Sequence, residues 1–321
     1  MMKLVEMKYF IEIADSSSIN QASKTLFIAQ PALSRMISSL ENELGFKLLE
    51  RSKNGVRLTN EGKKVYTDCK QILALYLECS NHWEQIAYKS NIQASPLTIS
   101  LFALPMMCNN TMNQVILDIT HQYPRIRLKL FEHQLPDILD TALKHQPSII
   151  LSHYNIQTKD EVYTFARTHD MKVIPLFDDE YCLFAKRDNP LTQQLISDNN
   201  LRKFILLTYS YHNAEDEQVP SLKAYGLPDV KKFFDRTILL SNLHEMLQLT
   251  ATTDAVTVTA NRLIQSSPLI KSGQIVPLQY KLPLLPITYF ILTSQTPTLE
   301  EKIVLQTIIK HFSQLAQFPL H

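Results

Sequence analysis

The sequence predicts a small helical head closed by a β-hairpin, then one long linker helix, then a large α/β region in two subdomains. Three observations carry this. Within the first 45 positions, three segments repeat apolar residues at helical spacing, and strand-like runs then flank Asn54-Gly55. From Thr59 to about Ser90 there is no proline and one glycine, with an apolar residue every three or four positions. Beyond Pro96, short apolar runs alternate with helical patterns, the order that builds sheets crossed by helices.

Composition narrows the class. The 321 residues suit two or three domains, and 45% hydrophobic with 20% charged residues is enough to bury real cores. A formal charge of +1 argues nothing about nucleic acid globally, but residues 1–60 carry eight cations against six acids. Four of those cations, Arg35, Arg51, Lys53 and Arg57, fall close together. The opening MMKLVEMKYF is no signal peptide and no run is long enough for a membrane span, so the expectation is a cytoplasmic chain without a membrane partner. Cys69, Cys79, Cys108 and Cys182 form no metal-binding spacing and read as buried thiols; no metal and no cofactor are expected.

In the head, Leu4, Met7, Phe10, Ile11 and Ala14 place a first helix over 3–15, which stops in Asp15-Ser16-Ser17-Ser18, where a serine can cap the next helix. Ile19, Ala22 and Leu26 mark that short second helix. A third begins near Gln30, with Pro31 in its first turn, where a missing N–H costs little. Its inner stripe is Leu33, Ile37, Leu40 and Leu44; Gln30, Ser34, Arg35 and Ser38 project the other way. These outer side chains are long enough to reach base edges. Two short helices with Ala22 where they cross describe a helix-turn-helix, whose second helix enters the major groove N-terminus first.

FKLLERSKNGVRLT then reads as a hairpin turning at Asn54-Gly55, because a type I′ turn needs positive φ at both residues. Val56 and Leu58 face inward, Arg57 and Thr59 outward, and Arg51 and Lys53 share a face. This is a basic wing suited to phosphate or minor-groove contact.

From Phe10 to Gly62 the stretch resembles the DNA-binding domain of LysR-type transcriptional regulators. The matching residues are Phe10, Ala14, Ser18, Ala22, Leu26, the run Gln30-Pro31-Ala32-Leu33-Ser34, Leu40-Glu41, Leu44-Gly45, Leu48, Glu50-Arg51, Leu58-Thr59 and Gly62. The resemblance implies a winged helix in which Gln30, Pro31, Ser34 and Arg35 touch bases and phosphates. Ser18, Ser38, Arg51, Lys53, Arg57 and Thr59 complete the expected DNA-contacting set. Two positions depart from the family. Ala29 replaces the usual Ser or Thr cap, so either Gln30 substitutes or the helix starts less firmly, and Asn54 replaces an arginine at the wing tip.

Along the linker, Val65, Cys69, Ile72, Tyr76, Cys79, Trp83 and Ile86 alternate spacings of four and three, a coiled-coil seam. The resemblance points the same way, to a helix that pairs two DNA-binding heads in a homodimer or homotetramer.

The expected boundaries are 1–59 for the winged helix-turn-helix, 60–90 for the linker and 91–321 for the α/β region. The two α/β subdomains are drawn at about 91–161 plus 269–321 and at 162–268, similar in architecture to periplasmic solute-binding proteins. Expected strands are 97–101, 125–132, 148–152, 181–186, 204–209, 255–260 and 285–293, the last returning to the first sheet, and strand–helix alternation implies parallel sheets. In the family this region binds an effector. Strand ends facing the cleft supply the candidates Leu101, Phe102, Ser152, His153, Thr208 and Tyr209. Several family glycines are missing: Thr253 and Ala255 stand where Gly-x-Gly is usual, Ser148 replaces an Asp, and Asn189 a His.

No catalytic motif is present; His244-Glu245 lacks a second histidine, and Asp178-Asp179-Glu180 reads as a solvated charge run. The expectation is a sequence-specific DNA-binding regulator, not an enzyme. Its partners would be double-stranded DNA and a small-molecule effector of unknown identity, with RNA polymerase an admissible third. The alternative is a DNA-binding repressor controlled by protein contacts, without a ligand.

Overall fold

The computed structural model describes residues 2–26, 28–52, 55–90, 97–133, 137–145, 147–209, 233–281 and 284–319. Two compact units divide at Ser90 and Asn91.

In the first unit, α1 (Leu4–Ser16), α2 (Ile19–Leu26) and α3 (Gln30–Leu44) precede the hairpin of β1 (Leu49–Ser52) and β2 (Gly55–Leu58), and α4 (Asn60–Ser90) comes next. The apolar stripes meet in one core: Phe10 and Ile13 of α1, Ala22 of α2, and Leu33, Ile37 and Leu40 of α3, closed by Leu48 and Val56. Glu41 is buried beside them. Its Oε1 accepts the N–H groups of Leu48 and Leu49 at 3.0 and 3.2 Å, and Oε2 meets Lys47 Nζ at 2.7 Å. Burial pushes this carboxyl up, but the Lys47 and backbone hydrogen bonds outweigh it and hold it below the usual range. A charged residue thereby joins the end of α3 to the start of the wing.

The hairpin register pairs Ser52 with Gly55, Arg51 with Val56 and Glu50 with Arg57. The expected Asn54-Gly55 turn is therefore displaced: Gly55 is already in the ladder, and residues 53 and 54 lie outside the described residues. Glycine is needed at 55 for another reason. Its φ is +121°, and a Cβ would meet the carbonyl of Ser17, which accepts Val56 N–H at 2.9 Å and ties the wing to the α1–α2 turn.

The second unit holds two five-stranded sheets. Its strands are β3 (Leu97–Ala103), β4 (Ile126–Glu132), β5 (Ser148–Asn155), β6 (Met171–Asp179), β7 (Tyr181–Lys186), β8 (Ile205–Tyr209), β9 (Arg236–Leu240), β10 (Val256–Ala260), β11 (Ile275–Pro277) and β12 (Ile287–Ser294). The first sheet runs β4-β3-β5-β12-β6 and the second β11-β7-β10-β8-β9. α5 (Asn110–Gln122), α6 (Asp137–Leu143) and α7 (Lys159–Thr168) connect strands of the first sheet.

Three expectations are corrected here. The sheets are mixed, not parallel: β12 opposes both its neighbours, and so does β7. Each is the first strand after the chain passes from one sheet to the other, so neither has the crossover helix that parallel pairing requires. The first crossing falls at Glu180, not near 161, because β6 is an edge strand of the first sheet. The return falls between β11 and β12, not at 268, because β11 pairs with β7.

The charge run at the crossing is solvated only in part: Asp178 is exposed and Glu180 half-buried. Asp179 is fully buried, and its carboxylate accepts the N–H groups of Glu180, Arg262 and Leu263 at 2.8, 2.8 and 3.0 Å. Burial pushes its carboxyl up to about 6 despite these three bonds. Arg262 adds Nη1 to the Asp178 carbonyl and Nε to that of Phe318. Together they fasten the crossing.

Candidate nucleic-acid interface and ligand cleft

α3 begins without a side-chain cap. Ala29 offers no oxygen, and Gln30 does not replace it: its Nε2 donates to Ser34 Oγ at 2.9 Å, one turn on. Pro31 carries no N–H, and the N–H groups of Ala32 and Leu33 donate to the Ala29 carbonyl at 2.8 and 3.3 Å, so the helix start presents its positive dipole end without a capping side chain. Gln30, Pro31 and Arg35 are exposed there, and Arg35 folds back so that Nε reaches the Pro31 carbonyl at 3.3 Å. Ser34 and Ser38 are half-buried, and Ser38 Oγ donates to the Ser34 carbonyl.

Two residues from the expected DNA-contacting set have structural duties. Ser18 Oγ accepts Gln21 N–H at the start of α2. Thr59 Oγ1 donates to the Lys47 carbonyl at 2.7 Å and accepts Gly62 N–H at 2.8 Å, capping α4. On the hairpin, Arg57 is exposed opposite Glu50, Arg51 lies opposite Val56, and Lys53 lies outside the described residues.

The linker stripe divides. Cys69 is buried in the head's own core with Val65 packed against it, so these two serve the winged helix and not a seam. Further along α4, Ile72, Tyr76, Trp83 and Ile86 are between 39% and 57% exposed, and Cys79 is half-buried. Tyr76 and Trp83 meet edge to face, with centroids 6.4 Å apart.

All six expected effector residues are buried. Phe102 stacks on Phe131 at 4.8 Å, and Leu101 and Ser152 are enclosed within their sheet. Thr208 and Tyr209 lie at the end of β8, Tyr209 within hydrogen-bonding influence of Thr259. His153 is enclosed by tyrosines: Nε2 lies 3.2 Å from Tyr181 Oη, and its ring meets Tyr289 at 5.7 Å. Burial lowers its imidazole to about 4, so it is neutral at pH 7. Aromatic strand ends here fill the core.

A cleft of about 480 Å³ opens between the N-terminus of α5 and the segment Leu243–Leu269 across the subdomain boundary, and none of the six lines it. Its polar lining includes Cys108, Asn110, His244, Gln248 and Ser266, and its apolar lining Leu247 and Ile264. Ser266 Oγ is buried and has no hydrogen-bond partner among the described residues. The sequence signal for this site is the capping asparagine before each flanking helix, Asn109 for α5 and Asn242 for the helix Leu243–Thr252. Burial and the neighbouring Glu132 carboxylate push the Cys108 thiol up, which keeps it protonated and a poor nucleophile. Cys79 and Cys108 are half-buried rather than enclosed, unlike Cys69 and Cys182.

Residues 4–63 match the bacterial regulatory helix-turn-helix protein, lysR family, and residues 94–306 match the LysR substrate binding domain. The chain belongs to the LysR family. It is 33% identical over 146 residues to the nitrogen assimilation regulatory protein nac of Escherichia coli, covering 45% of this chain and 46% of that one. With the transcriptional regulator YbhD of Escherichia coli it shares 26% over 193 residues, 60% and 56% of the two chains. The aligned portion thus spans about half the length of these curated relatives. Two solved structures share the fold. One is CrgA, a LysR-type transcriptional regulator from Neisseria meningitidis, with a TM-score of 0.63 at 17% identity over 97% of this chain and 99% of that one. The other is oxidized OxyR of Corynebacterium glutamicum, with a TM-score of 0.52 at 16% identity over 98% and 92%.

Proposed function

We propose that this LysR-family chain is a sequence-specific DNA-binding transcriptional regulator, switched by a small molecule held between its two α/β subdomains. The observation that carries the DNA part is the outer face of α3. Gln30 and Arg35, side chains suited to adenine and guanine edges, stand exposed at an uncapped helix start while the opposite face is locked into the core. The positive dipole end of α3 suits a backbone phosphate, and Arg57 on the wing supplies a further cation. Ser18 and Thr59 hold these elements in place through caps, acting on DNA through position more than through contact.

The exposed stripe Ile72, Tyr76, Trp83 and Ile86 supports pairing of α4 with α4 of a second copy, in a homodimer or a homotetramer. The cleft has the size and mixed lining of a small-molecule site, which favours an effector over control by protein contacts alone. An effector would act by binding open and closed subdomain arrangements with different affinity, biasing how the paired heads are held. Such a regulator would work in the cytoplasm and act through RNA polymerase.

Repeated selection from a random duplex pool tests the reading. The expected product is a two-part motif that Arg35→Ala no longer enriches. A pool that stays random, bound weakly and in a salt-dependent way, would leave a non-specific binder and overturn it.

A further inference from the structure

The end of β12 remote from the subdomain crossing carries a second concavity. Ile287 pairs with Asp179 at the crossing and Ser294 with Met171, so the far end lies roughly 20 Å along the strand. There Lys172 of β6 and Lys302 of the helix Leu299–Phe312 flank a pocket of about 440 Å³, and Gln295, Thr296 and Gln306 supply its other polar lining. All five side chains can donate hydrogen bonds, and among the described residues no carboxylate lines the pocket. Glu301, the adjacent acid, is buried and accepts the Thr298 N–H.

The cations are unfavourably arranged for a bare surface. Lys302 is the fourth residue of its helix, where the helix field opposes positive charge. Lys172 is half-buried; burial and the Lys302 ammonium hold it below the usual lysine range, with Glu301 pulling the other way. The Lys302 ammonium disfavours charge on Lys172 across the donor-lined hollow, and an anion bound between them would offset that repulsion with attraction to both.

We propose that this pocket binds a small, doubly charged oxyanion, phosphate or a phosphate monoester, as a ligand site separate from the interdomain cleft. It stands independently of the DNA-binding reading.

Calorimetric titration of the full chain with inorganic phosphate, and separately with glycerol phosphate, is the test. The expected result is one saturable site per chain, with affinity reduced at least about tenfold by Lys172→Gln and by Lys302→Gln, since each removes a charge-assisted hydrogen bond. Tighter binding of the ester would assign a phosphorylated metabolite, and binding of phosphate alone the free ion. The ligand-free melting temperature of Lys172→Gln should be unchanged or higher, because a repulsion is removed. Absence of saturable binding by both probes would overturn the proposal. So would undiminished affinity in the double variant, or a Lys172→Gln chain that melts lower while still binding phosphate normally.

Discussion

Asn109 Nδ2 donates to the carbonyl of Leu263 at 3.2 Å, joining the two α/β subdomains at the edge of the cleft. The same amide nitrogen reaches the Met106 carbonyl, and Oδ1 accepts the N–H groups of Thr111 and Met112 at the start of α5. One side chain therefore caps a helix and fastens the boundary across which a ligand would have to act.

Asn109→Asp separates these roles. The carboxylate keeps the cap and suits the helix start, but it sets negative charge against two carbonyl oxygens that had received hydrogen bonds. The expected outcome is a loss of about 1–3 kcal/mol in urea unfolding of the α/β region. Faster amide exchange around residues 263–267 should accompany it. An unchanged midpoint and unchanged exchange would mean that the cross-boundary bond holds nothing in place.

Two buried groups should offset each other in the pH dependence of stability. His153 falls from 6.5 to about 4 on folding, so between those values the unfolded chain binds more protons and stability is lost on acidification. Asp179 rises from 3.8 to about 6, so over nearly the same window the native chain binds more protons and stability is gained on acidification. Each effect is about 3 kcal/mol over its full span. In chemical denaturation of the native sequence between pH 6 and pH 4 these two contributions should therefore nearly cancel. Asp179→Asn should become less stable as pH falls, and His153→Leu more stable. Slopes of the same sign in both variants would contradict this assignment.

Gly62→Ala should destabilise the head, although the same change in an ordinary exposed helix stabilises by about 1 kcal/mol. Gly62 lies in the first turn of α4 with ordinary backbone angles, but a Cβ there would run into the carbonyl of Leu48, which also accepts Thr59 N–H. Thermal melting of the variant decides the sign. A raised melting temperature would mean that the close approach is easily relaxed.

Arg35→Ala and Arg57→Ala should differ in kind. Loss of Arg35 should abolish discrimination between sequences, worth roughly 1–3 kcal/mol for a base-edge contact. Loss of Arg57 should weaken binding to all sequences and lower the salt slope by about one. Fluorescence anisotropy titrations at several salt concentrations separate the two, and reversed behaviour would place the wing at the bases and α3 on the backbone.

The head is legible in the sequence because its signals are local. Helical spacing and a proline in the first turn place α3 at Gln30, where it begins. Strands β6, β9 and β11 escape such reading: all three are edge strands, and unlike the edge strand β4, whose IRLKLFE alternates apolar and charged residues, they carry no clear alternation. β6 even carries Pro175, which edge pairing tolerates and a central strand does not. Glu41 and Asp179 look like surface charge, since nothing in a single sequence announces that backbone N–H groups will converge on a buried carboxylate. The six expected effector residues do not line the cleft, and aromatics at strand ends fill cores as readily as they line clefts. The cleft itself is built from helix starts, where Asn109 and Asn242 read as caps.

Paired heads should present α3 to successive turns of the major groove. Footprinting the full chain on its selected duplex tests this most directly. Two protected patches should appear on one face of the DNA, roughly 10 base pairs apart, and both should vanish together with Arg35→Ala. A single isolated patch, or a pair untouched by Arg35→Ala, would contradict it.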